Sequence, residues 1–115
     1  MRIPVSFQLM GRTITVKANN RLQQDRNWSG SANYEIDEIH IAPRSDSYQV
    51  SDGKLQQIFC HELAHFLLYH SGGAVNHDLK NGGYIHNNEE FVDLLGSLIH
   101  QAFSTMVYSE KGEIL

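Results

Sequence analysis

Hydrophobic and polar positions alternate at the start of the chain. Val5, Phe7 and Leu9 fall between Ser6, Gln8 and Met10, and after Gly11 the alternation resumes with Ile14 and Val16 against Thr13, Thr15 and Lys17. A period of two predicts β-strands, and Met10-Gly11-Arg12 predicts the turn of a hairpin. Ala18 to Asn33 is polar, with Asn19-Asn20, Asp25, Asn27 and Ser29-Gly30-Ser31 around a single Trp28, and reads as a long surface connection. A lone aromatic in such a stretch pins the loop to the domain or touches a ligand. Ile36 to Pro43 predicts the next strand, with Ile39 and Ile41 on one face and Ile36, Glu38 and His40 on the other. Its terminal proline suits an edge strand, and an edge at the rim of a cleft can pair with an extended peptide.

The period then lengthens. Ser51 or Asp52 can cap a helix running from near Lys54 to about His70, and Gly72-Gly73 ends it. A histidine at that end complements the helix dipole. Ala74 to Asn88, carrying His77 and His86, reads as a second long connection. Asn87 or Asn88 caps a last helix with Glu89 and Glu90 in its first turn, and apolar residues follow at Phe91, Val92, Leu94, Leu95, Leu98, Ile99, Ala102, Phe103, Met106 and Val107 before it frays near Ser109 to Gly112. Gly96 interrupts a stretch of good helix formers, which suits a close approach between two helices. The expectation is a single α+β domain over residues 1–115. Its small sheet, the N-terminal hairpin plus an edge strand, packs on one central helix and one C-terminal helix.

Composition narrows the classes. A chain of 115 residues with 41% hydrophobic and 19% charged content has room for one core. A net charge of −4 gives no basic footprint, so no nucleic-acid partner is expected. The opening Met1 to Gln8 is broken by Pro4 and polar residues and does not read as a signal peptide, and no apolar run of membrane-spanning length follows. Cys60 is the single cysteine, which rules out an internal disulfide and suits a reducing, cytoplasmic setting.

The chemistry gathers in Cys60-His61-Glu62-Leu63-Ala64-His65-Phe66-Leu67-Leu68. Histidines four apart share a helix face and can reach one metal ion, while the glutamate after the first can take a proton from a metal-activated water. Ile58, Phe59, Cys60, Leu63, Ala64, Phe66, Leu67 and Leu68 surround the polar trio, leaving no broad wet face for it. Polar groups in such surroundings cost several kcal/mol unless paired, and a metal would pair them. A catalytic zinc needs a third protein ligand. Glu89, at the start of the last helix, is the foremost candidate, with Glu90, Asp93 and His86 as alternatives. Asp93, one turn after Glu89, can instead accept a hydrogen bond from the free nitrogen of a ligating histidine. The donor for a developing oxyanion is left open among Tyr84, His86 and Tyr69.

His61-Glu62-Leu63-Ala64-His65 followed by Asn88-Glu89-Glu90-Phe91-Val92-Asp93 resembles the gluzincin pattern H-E-x-x-H plus N-E-x-x-x-D. The motif run, with the acidic opening of the last helix, also resembles the compact ImmA/IrrE-like metallopeptidases and small metallopeptidase-like proteins of bacteria and their phages. The likeness covers residues 55 to 103. It implies a minimal zincin-like domain that binds one zinc per chain through His61, His65 and Glu89, with Asp93 orienting a histidine. It further implies hydrolysis of a peptide or protein substrate with Glu62 as general base. A metal-binding regulatory or interaction protein of the same fold, without useful hydrolysis, is the second expectation. A purely structural zinc domain is disfavoured, because a closed site has no use for Glu62.

Overall fold

The computed structural model describes residues 1–26, 28–44, 48–73, 77–78 and 83–110. The N-terminal alternation forms the expected hairpin, β1 (Ser6–Leu9) and β2 (Arg12–Ala18), paired antiparallel. Met10 and Gly11 both have positive φ, 52° and 77°, as a tight two-residue hairpin turn requires. Ile14 on β2 is fully buried, and Phe7 and Val16 pack against the core it belongs to.

The next stretch corrects the sequence reading. Residues 18–33 are not a plain surface connection. After β2 comes a short helix, α1 (Arg21–Arg26), anchored by buried Leu22, and then strand β3 (Gly30–Asn33). The expected strand is shorter than read, β4 (Glu38–Ile41), and it is not at the edge. The sheet order is β1-β2-β4-β3, with β4 parallel to β2 and antiparallel to β3, so the edge strands are β1 and β3. Ile36 sits in the β3–β4 turn and is exposed. A Gly-Ser-Ala-Asn strand has no hydrophobic alternation to betray it. Its small residues answer a different demand, because a Cβ on Gly30 would lie 2.8 Å from Ile58 Cγ2 and 3.0 Å from Glu62 Oε2.

Polar contacts brace the solvent side of the sheet. Arg12 donates to both carboxylate oxygens of Asp37 at 3.0 Å, tying the hairpin turn to the β3–β4 turn. That hydrogen bond holds the Asp37 carboxyl below its ordinary range. Glu38 lies between Lys17 at 2.7 Å and His40 at 2.8 Å, which accounts for His40 without any metal.

The motif helix is α2 (Asp52–Leu68), capped by Ser51, whose hydroxyl accepts from the Lys54 N–H at 3.3 Å. Ile58, Phe59, Cys60, Ala64 and Phe66 are buried, and Ile58, Phe59, Cys60 and Phe66 join Ile14, Ile39 and Ile41 in the core under the sheet. Burying each large side chain contributes about 1.5–3 kcal/mol. Burial pushes the Cys60 thiol up to about 11, so it is a packing residue and not a reactive one. A π-helical turn (Tyr69–Gly73) closes the helix, with Gly72 at φ 100°. The following connection contains a two-residue strand pair, β5 (His77–Asp78) with β6 (Gly83–Tyr84), and a 3₁₀ turn (Ile85–Asn87).

Asn88 caps the last helix, α3 (Glu89–Thr105), its side-chain oxygen accepting from Phe91 N at 3.2 Å. This helix stops at Thr105, a few residues before the expected fraying point. It packs along α2. A Cβ on Gly96 would stand 3.0 Å from His61 Cα and 3.1 Å from His61 N, so the close approach expected at this glycine is present. The fold is α+β, a four-stranded mixed sheet with three α-helices. Among the described residues no helix is long and apolar enough to cross a membrane.

Candidate metal centre

Four residues of helix rise and turn put His61 and His65 on one side of α2, their rings 5.0 Å apart. The capped start of α3 brings Glu89 opposite them. Its two carboxylate oxygens lie 3.1 Å from His61 Nε2 and 3.2 Å from His65 Nε2. Among the described residues these three form the one group of metal-ligating side chains, with one donor atom from each within 4.8 Å of the others. Glu90, the next residue, is exposed and stands outside the group.

The other ring nitrogens are also engaged. His61 Nδ1 lies 2.7 Å from Asp93 Oδ1, and His65 Nδ1 lies 2.6 Å from the main-chain oxygen of His86. With Nδ1–H donating to each acceptor, the Nε2 lone pairs of both rings are left for a ligand, the usual means of fixing a metal-binding tautomer. His86 reaches the site through its carbonyl alone. Its buried ring is packed among Tyr34, Tyr69 and Tyr84.

Two imidazoles and a carboxylate whose donor atoms converge on one point fit a divalent transition metal, and the residues could hold one. Burial lowers the pKa of His65, which keeps its imidazole neutral and able to ligate.

Glu62 projects from the same stretch of α2 and is only 6% exposed. Burial first, and then the negative charge of Glu89, push its carboxyl up to about 8. Two carboxylates facing one space without a cation between them oppose each other, a second reason the donor set fits a positive ion.

The site opens into a cleft of about 960 Å³, within the size range of ligand-binding clefts. One wall is β3, from Gly30 to Asn33, followed by Tyr34; the floor is His61, Glu62 and His65; the far wall is α3 at Glu89, Asp93 and Gly96. Trp28 lies at its rim, half exposed, with the Arg26 guanidinium 5.1 Å from its ring centroid. Of the candidate oxyanion donors, Tyr69, Tyr84 and His86 do not line this cleft, whereas Tyr34 does. Burial, then the charges of Glu62 and Glu89, hold the Tyr34 phenol well above its ordinary pKa. Tyr34 and β3 were both missing from the sequence reading. A tyrosine 27 residues ahead of the motif carries no local signal, and only the pairing of β3 with β4 brings it there.

No family model, curated protein or solved structure matches the chain.

Proposed function

We propose that this protein is a zinc-dependent metallopeptidase in which His61, His65 and Glu89 hold the ion and Glu62 is the general base. One observation carries the reading. Two histidine Nε2 atoms and a glutamate from a second helix share one point, and a buried carboxylate stands beside them on the floor of an open cleft. A zinc ion held by His61, His65 and Glu89 would supply a Lewis acid that acidifies water and polarises a carbonyl.

With a cation in the site, whose charge favours the ionised carboxylate, Glu62 would accept the proton of the attacking water and deliver it to the leaving amine, a transfer worth about 10²–10⁴-fold in rate. Asp93 and the His86 carbonyl orient the two imidazoles. Tyr34 lines the cleft with its phenol protonated and can donate to the oxyanion. The edge strand β3, not β4, supplies main-chain groups along the cleft wall, which favours an extended peptide as substrate.

Replacing Glu62 by Gln tests the role of the base. Hydrolysis of a mixed peptide library followed by mass spectrometry should fall by about 10²–10⁴-fold while zinc content stays unchanged. Equal hydrolysis by both proteins would put the base elsewhere. Full zinc with no hydrolysis by either would favour the regulatory metal-binding reading.

A further inference from the structure

The cleft continues beyond the metal group to a second end of different chemistry. Strand β3 runs alongside α2: a Cβ on Gly30 would touch Ile58, and Tyr34, just past the strand, meets Phe66 edge-on with ring centroids 5.1 Å apart. Counting back from Gly30, Ser29 and Trp28 flank the first turns of α2. Helix α3 runs the opposite way, from Glu89 at the two histidines to His100, whose Nε2 lies 3.2 Å from Gln56 Oε1. Trp28, Lys54, Ser97 and His100 line the cleft at this end. Lys54 stands seven residues before His61, so two helical turns bring both to the same side of α2.

Charge is sorted along the cleft. Its lining carboxylates, Glu62, Glu89 and Asp93, gather around His61 and His65. Lys54 is the one lysine or arginine lining the cleft among the described residues, and no ion pair engages it there. The Arg26 guanidinium over the Trp28 ring adds a second positive charge at the rim. Trp28 is fixed by its own N–H, which donates to the carbonyl of buried Leu22 at 3.1 Å, yet the side chain stays half exposed. A large aromatic surface held in water at a cleft mouth gains by covering a ligand.

We propose that this end of the cleft is a carboxylate subsite, in which Lys54 pairs with an acidic group of the bound peptide and Trp28 covers the chain beside it. The inference rests on the peptidase reading and narrows its substrate to peptides with a carboxylate at a set distance from the cleaved bond. At 1.5 Å per residue, two helical turns place Lys54 about 10 Å along α2 from His61. An extended peptide advances about 3.3 Å per residue, so the carboxylate lies about three residues from the bond at the metal. An Asp or Glu side chain or the peptide's own C-terminus supplies it. A lysine or arginine at that position of the peptide would face Lys54 and be repelled.

Trp28 is the chain's single tryptophan, so its fluorescence reports this subsite without any hydrolysis. Short alanine-rich peptides, acetylated and amidated, with one Glu, one Gln or one Lys, are titrated into the Glu62→Gln chain beside an uncharged peptide with a free C-terminus. The Glu peptide or the free-carboxylate peptide should bind roughly fivefold tighter than the Gln peptide, and the Lys peptide more weakly still. Preference for the first assigns the subsite to a side chain, and preference for the second to a chain end. Lys54→Met, with an unchanged far-UV circular dichroism spectrum, should abolish the difference. Equal affinities for all four peptides, no fluorescence response to any, or a preference that survives Lys54→Met overturns the subsite. Hydrolysis by the wild type is scored separately. Binding of the Glu peptide without cleavage keeps the subsite and removes the peptidase reading, whereas equal cleavage of the Glu, Gln and Lys peptides keeps the peptidase and removes the subsite.

Discussion

Glu89 and Glu90 are chemically identical neighbours with different neighbourhoods. Either could serve as a helix-start acid, and the dipole of α3 favours both. Only Glu89 faces the imidazoles, and Asp93 joins it because one helical turn separates them. If the three-residue group holds zinc, Glu89→Ala weakens zinc binding by more than the roughly 10- to 100-fold typical of losing an outer partner, and Asp93→Asn weakens it by about that amount. Glu90→Ala leaves it unchanged. Competition with a chromophoric chelator measures all three, and equal losses at 89 and 90 would contradict the assignment.

The two long helices matter as a pair, because the centre exists only if α3 lies close enough to α2 for Glu89 to span the gap. Gly96 sets that distance. The atoms a Cβ would meet there belong to the backbone of His61 and Cys60, which cannot swing aside as a flexible side chain would. Gly96→Ala should therefore cost about 1–3 kcal/mol by overpacking and weaken metal binding as α3 is pushed back. Urea denaturation and chelator competition together check this, and a variant matching the wild type in both would show that the helices can separate freely. Both helices were legible in the sequence because caps, apolar periodicity and the lone glycine all pointed the same way. Strand β3 was not. Its Gly-Ser-Ala-Asn run is chosen for thinness against α2, and a strand selected for small size looks like a loop when read for alternation. The same thinness hides the edge: without β3, the strand that Pro43 follows reads as the rim.

At the scale of the molecule, the sheet and helices make one wall each of a single cleft, and the metal group sits where they meet. The sequence motif accounts for the floor. The walls come from residues far away in the chain, Gly30 to Tyr34 on one side and Glu89 to Gly96 on the other; the second was found by the need for a third ligand and by its helical spacing, the first only by the fold. The exposed apolar residues of α3, Phe91, Leu94 and Leu98, belong to this scale too. Their periodicity was visible, but the side that meets α2 carries Glu89, Asp93, Gly96 and His100, so apolar periodicity alone does not say which side packs inward. The central claim is that α2 and α3 together form one metal site. Calorimetric titration of the metal-stripped chain with zinc tests it most directly. One zinc per chain, with binding lost in His61→Ala and in Glu89→Ala alike, is the predicted result; no binding, or binding that survives either substitution, would contradict it.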